Sequence, residues 1–162
     1  MNKKITLIIL PLLVLYFAWP FYSANALFNA IYEQDSESVN DKIDFPSLRS
    51  SLKEQLNANM LNTISTGEMK DNPFSGLALA FVPKLIDSAV DAYVTPAGLK
   101  NMISEQEGEA NEPLSFDDVS YAFFKNPTKF KITANDVDMT FRLTDWTWKL
   151  TDLIIPVDEL NK

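Results

Sequence analysis

The 162-residue chain contains no cysteine and no histidine. The first absence excludes disulfides, thiol nucleophiles, a lipoprotein anchor and thiolate metal sites. It does not set the compartment, because envelope proteins often have no disulfide. The second absence removes Ser-His-Asp and Cys-His catalysis and the commonest transition-metal ligand. Any acid–base chemistry therefore falls to Asp, Glu, Lys or Tyr. There is also no internal repeat, no low-complexity tract and no basic stripe, and the formal net charge is −8. An acidic chain without a basic stripe is repelled by nucleic acid and by anionic head groups, so no nucleic-acid partner is expected.

Enough apolar material remains for a core: 46% of residues are hydrophobic and 12% aromatic. The length fits one domain behind an N-terminal targeting segment. Lys3 and Lys4 precede an apolar run over residues 5–18, broken only by Thr6 and Pro11. Basic residues before such a run mark a secretory signal or a signal anchor, with the lysines on the cytoplasmic side. Ala24 and Ala26 offer an A-x-A cleavage pattern, with cleavage after Ala26 releasing a secreted chain. Trp19, Phe21 and Tyr22 carry the apolar character on, and residues 5–22 just suffice to cross a bilayer with aromatics at the far interface. An uncleaved anchor is favoured. Beyond residue 26 the chain holds 12 basic and 22 acidic residues, a net −10.

Apolar periodicity then lays out a helical layer over residues 23–104. Ala24, Leu27, Phe28 and Ile31 share a face. Asp35 caps a short helix with Val39 and Ile43 as an i, i+4 pair, and Asp44 caps a third helix at Phe45-Pro46-Ser47. Leu48, Leu52, Leu56 and Met60 line one side of that helix. After a loop at residues 67–75, residues 77–94 are unusually apolar, and they are expected as core first and a partner surface second. Thr95-Pro96 opens another short helix. Residues 105–115, rich in glutamate, read as a solvated acidic connector, with no metal expected there.

Residues 116–156 read as four strands in an antiparallel meander. Val119, Tyr121 and Phe123 alternate, as do Phe130 and Ile132, then Val137, Met139, Phe141 and Leu143. Trp146, Trp148 and Leu150 alternate after a turn near Thr144 and Asp145. Helices first and strands last is the α+β pattern, a sheet with helices on one face. This order resembles the cystatin-like and nuclear-transport-factor-like cone folds, whose last strand often carries a Trp-Lys-Leu sequence, here Trp148-Lys149-Leu150.

Phe21-Tyr22, the acidic turn at Asp35, Val39, Asp44-Phe45-Pro46 and Leu48-Arg49 to Leu52 form a recurring set with Val94-Thr95-Pro96, Gly98-Leu99, Trp148-Lys149-Leu150 and Ile155-Pro156. Taken together, these residues resemble the bacterial family of uncharacterised envelope proteins designated DUF2939, over about residues 20–156. The resemblance implies a location behind an N-terminal hydrophobic segment. It implies no activity and no catalytic residue.

Candidate chemistry is sparse. Asp44 and Arg49 could line a pocket as an ion pair, or serve as a cap and a surface pair. Asp136, Asp138, Asp145 and Asp152 could offer paired carboxylates but read better as turn and outward-facing residues. Tyr121, Phe123, Phe130, Phe141, Trp146 and Trp148 read as core against helices, with an apolar pocket as the sharper alternative. The candidate ligand or partner surface is thus Asp44, Arg49, Tyr121, Phe141, Trp146 and Trp148. No catalytic, cofactor or metal residue is assigned. The expected protein is a membrane-tethered or periplasmic domain with a non-enzymatic binding or envelope-accessory role. Its expected partners are the cytoplasmic membrane through residues 5–22 and an envelope protein. The rival expectation is a carboxylate-based hydrolase or isomerase in a cone-shaped pocket.

Overall fold

The computed structural model describes residues 3–66, 73–98, 101, 119–134 and 136–154. The acidic connector at 105–115 and the Ile155-Pro156 pair lie outside the described residues. Four helices precede four strands: α1 (Lys3–Tyr32), α2 (Ser36–Lys42), α3 (Phe45–Thr66), α4 (Ser75–Tyr93), β1 (Val119–Asn126), β2 (Lys129–Ala134), β3 (Val137–Thr144) and β4 (Thr147–Ile154). The strands form one antiparallel sheet in the order β1-β2-β3-β4, so the α+β meander expected from the sequence is the fold.

α1 runs unbroken through Pro11 and Pro20. The expected boundary between residues 22 and 23 therefore falls inside a helix. α1 ends where Gln34 takes a left-handed φ of 58°. The Asp35 amide then reaches the Ala30 carbonyl and the Gln34 amide reaches that of Ile31, a Schellman closure of the last turn. Asp35 next caps α2, accepting from the Ser38 amide at 3.2 Å and the Ser38 hydroxyl at 2.5 Å. Asp44 repeats the device for α3, accepting from the Ser47 amide and hydroxyl at 3.2 and 2.9 Å. Between those helices Ile43 bridges Leu150 in parallel, and the Asp44 amide donates to the Leu150 carbonyl at 2.9 Å. The free edge of β4 is thereby engaged at Leu150, where another chain cannot pair.

The inner face of the sheet packs on α1. Phe130, Phe141 and Trp148 are wholly buried there, with Leu27, Phe28, Val39 and Ile43 among their neighbours in the core. Phe21 meets Phe130 edge-on at 4.6 Å between ring centres, and Phe124 does the same with Trp148 at 5.8 Å. The core is thus built by the second half of α1, α2, the start of α3 and the sheet.

Two regions depart from expectation. β1 has register shifts between Val119 and Tyr121 and between Phe124 and Asn126. After the first shift, Ala122 and Phe124 pair with Ile132 and Phe130 on the inner side, and Tyr121 and Phe123 face out. A one-residue offset exchanges the two faces of a strand. α4 also departs: it packs against α3, and Val90 is its one buried residue. Leu77, Phe81 and Leu85 are exposed, so the apolar run at 77–94 is a half-covered helix, not the centre of the core.

Candidate functional site

The α1–sheet junction holds two of the six candidate residues, Phe141 and Trp148, in the core. α1 leaves the domain at Tyr16 and Phe17, which pack their rings against Phe124. The Tyr16 hydroxyl donates to the carbonyl of Pro127, in the turn between β1 and β2. Further along α1, the Ser23 hydroxyl donates to the Trp148 carbonyl at 2.7 Å. Residues 9–15 and Phe17 are exposed, whereas Pro20, Ser23, Ala24, Leu27, Phe28 and Ala30 are buried. One helix thus carries a bare apolar half and a half that belongs to the core.

By length and composition, Ile9–Tyr32 could cross a membrane, the one such helix among the described residues. Burial narrows this. A turn that packs on the domain cannot at the same time lie free of it, so the free part of α1 ends at Leu15, just before the Tyr16 and Phe17 contacts.

Phe141 and Trp148 sit in the core, as the preferred reading of the aromatic face requires. Tyr121 lies exposed on the outer face beside Phe123, with ring centres 6.4 Å apart. Trp146 is not in a strand at all. Thr144 pairs with Thr147 across a two-residue loop of Asp145 and Trp146, with φ of 49° and 60°. Those signs define a type I′ hairpin turn, in which Asn-Gly or Asp-Gly is usual. A bulky residue at positive φ is costly, and Trp146 is 81% exposed as well. No core reading accounts for it. The sequence signal was available: an Asp-Trp pair occupies the place of Asp-Gly between two regular strands.

The carboxylates are mostly committed to structure. Asp44 caps α3, and Arg49 lies half-buried one turn on. Among the described residues the ion pairs are Lys53–Asp91 and Lys131–Asp138, each at 2.6 Å, so Asp44 and Arg49 do not pair. Asp138 also accepts from Thr133 at 2.6 Å. Burial pushes the Asp138 carboxyl up, but the hydrogen bonds from Lys131 and Thr133 and the Lys131 charge outweigh it and hold it below the ordinary value of 3.8. Asp35 is also lowered, by its Ser38 hydrogen bonds. Asp152 accepts from Ser51 of α3, which docks that helix on β4. Asp136 lies exposed at positive φ in the β2–β3 turn. No group of three acidic residues with metal-binding geometry occurs among the described residues.

Comparison with known proteins gives one relationship. The family described as "Protein of unknown function (DUF2939)" matches residues 9–102, which is 94 of the 162 residues. That stretch holds α1 from residue 9 onward and α2 to α4, so the Trp148-Lys149-Leu150 segment lies beyond it. No curated protein and no solved structure matches the chain. A match over more than half of its length makes the chain a member of the DUF2939 family.

Proposed function

We propose that the protein is a membrane-tethered domain held by an uncleaved α1, facing away from the cytoplasm, with a binding or envelope-accessory role. The observation that carries this reading is the sharing of α1 between its exposed apolar half and the core. Cleavage after Ala26 would remove Pro20, Phe21, Ser23 and Ala24 from the packed interior and delete the Ser23–Trp148 hydrogen bond. A signal peptide is discarded before its protein folds, and a helix whose second half is core cannot be discarded. Lys3 and Lys4 orient the anchor with its N-terminus in the cytoplasm.

Binding is favoured over catalysis on three grounds. The chain has neither histidine nor cysteine. The sheet face that would line a cone-shaped pocket is filled by α1 and large aromatics. The carboxylates at Asp35, Asp44, Asp138 and Asp152 serve caps, an ion pair and helix docking. The exposed stripe of Phe74, Leu77, Phe81 and Leu85 on and before α4 supports an interaction role, because contiguous apolar surface of this kind marks contact sites.

The test is proteolysis of spheroplasts joined to mass analysis. External protease should degrade the domain while cytoplasmic markers survive, and the isolated protein should retain its N-terminal residues. A mature N-terminus at Leu27 would refute the tether, and full protection from protease would refute the orientation.

A further inference from the structure

The free part of α1 is too short to hold the domain clear of a bilayer. Residues 5–15 number 11. At about 1.5 Å per residue they span roughly 16 Å. The hydrocarbon core is about 30 Å thick. A span this short draws the domain down onto the head groups or thins the bilayer around it.

The part of the domain nearest that exit is known. α1 leaves at Tyr16, bonded to the β1–β2 turn at Pro127. In a four-stranded meander the β1–β2 and β3–β4 turns share one end of the sheet. The Leu143 amide, donating to the Thr128 carbonyl at 2.9 Å, ties the β1–β2 turn to the end of β3 that leads into the β3–β4 turn. Trp146 therefore projects at the same end of the sheet as the helix exit.

A second observation lies on the outer face at this end. Lys129 pairs with Arg142, and Arg142 pairs with Lys149, so three cations lie abreast across β2, β3 and β4. Like charges directly opposite on neighbouring strands destabilise a sheet. Further in, Lys131 is neutralised by its diagonal neighbour Asp138, whereas Lys129, Arg142 and Lys149 have no ion-pair partner among the described residues. In a chain of net charge −8, a row of three abutting cations without an ion-pair partner among the described residues is a local exception. Two local rules are thus broken at one end of the sheet, by a tryptophan at a glycine-favouring φ and by abutting cations.

We propose that this end of the sheet rests on the anionic phospholipid head groups of the membrane that holds α1. Trp146 is the interfacial anchor, and the Lys129–Arg142–Lys149 row meets the phosphates. Tryptophan suits that depth because its ring is amphipathic, and each cation near an anionic surface adds attraction. The overall acidity of the domain, repelled by the same surface, favours this end as the one that faces it. The proposal rests on the tether reading.

The test uses the full chain in phosphatidylcholine vesicles with brominated acyl chains, with and without phosphatidylglycerol. Trp19, Trp146 and Trp148 are the tryptophans. Trp148, wholly buried, reports that the domain remains folded. In Trp19→Phe, bromine should quench emission that is absent from Trp19→Phe/Trp146→Phe. Phosphatidylglycerol should strengthen that quenching, and Lys129→Glu/Arg142→Glu/Lys149→Glu should remove the gain. In Trp146→Phe, quenching of Trp19 reports the tether by itself. If Trp19 is quenched and Trp146 is not, the tether stands and the contact is refuted, as it would be if this end met another protein. If neither is quenched, the tether fails and the contact with it. Quenching of Trp146 that ignores both phosphatidylglycerol and the triple reversal overturns the role of the cations.

Discussion

The Ser23 hydroxyl donates to the Trp148 carbonyl at 2.7 Å, both residues buried and 125 positions apart. This bond ties the last strand to α1. Ser23→Ala should cost about 1–2 kcal/mol, the usual penalty for leaving a buried polar group short of a partner. Urea unfolding of the full chain in detergent would measure it. A chain beginning at Leu27 should fail to give a cooperative transition at all.

Trp148 and Arg142 occupy opposite faces of the β3–β4 hairpin. Trp148→Ala should destabilise the domain by about 3–5 kcal/mol, as truncation of a fully buried aromatic does. Arg142→Ala should stay within about 0.5 kcal/mol of wild type, because it empties an exposed position. The same urea titration compares them. A near-neutral Trp148→Ala would contradict the packing around it.

Trp146→Gly should not lower stability and should raise it by up to about 1 kcal/mol. Glycine relieves the left-handed strain, about 1–2 kcal/mol for other residues, and returns part of that gain as unfolded-chain entropy. A loss above about 1 kcal/mol would mean that the indole makes a stabilising contact.

Asp138 sets part of the acid sensitivity. Its folded pKa lies below the ordinary 3.8, so the stability it contributes is present above that value and is lost as pH falls through the depressed one. Between pH 6 and pH 3 the wild type should lose more stability than Asp138→Asn. Equal acid slopes for the two would show that the Lys131–Asp138 pair contributes nothing.

Much of the fold was legible from the chain itself. The caps at Asp35 and Asp44, the Val39–Ile43 pair and the alternation of β2 and β3 are local patterns, and local chemistry decides them. Tyr121 and Phe123 misled because the register shift after Val119 is set by pairing with β2, not by the residues of β1. Residues 77–94 misled because apolar composition records what a helix can bury, not whether anything covers it. Trp146 was placed with Trp148 by simple alternation, and only the backbone shows that the hairpin turns at Trp146. Phe141 and Trp148 belong to the core, whereas Trp146, strained at positive φ, stands exposed in the turn.

The continuity of α1 has a consequence for how the protein is made. The half of α1 that packs into the core emerges first, and its partners Phe130, Phe141 and Trp148 emerge more than a hundred residues later. Contacts so distant along a chain form late. Until β4 arrives, Ala24, Leu27 and Phe28 have no complete sheet to cover them, and with α1 as the proposed tether the membrane around residues 5–15 is the nearest apolar shelter. The bilayer would then act first as a holding site for the nascent core and only afterwards as an anchor. Removing the last strand should leave a chain inserted in the membrane but unable to close its fold.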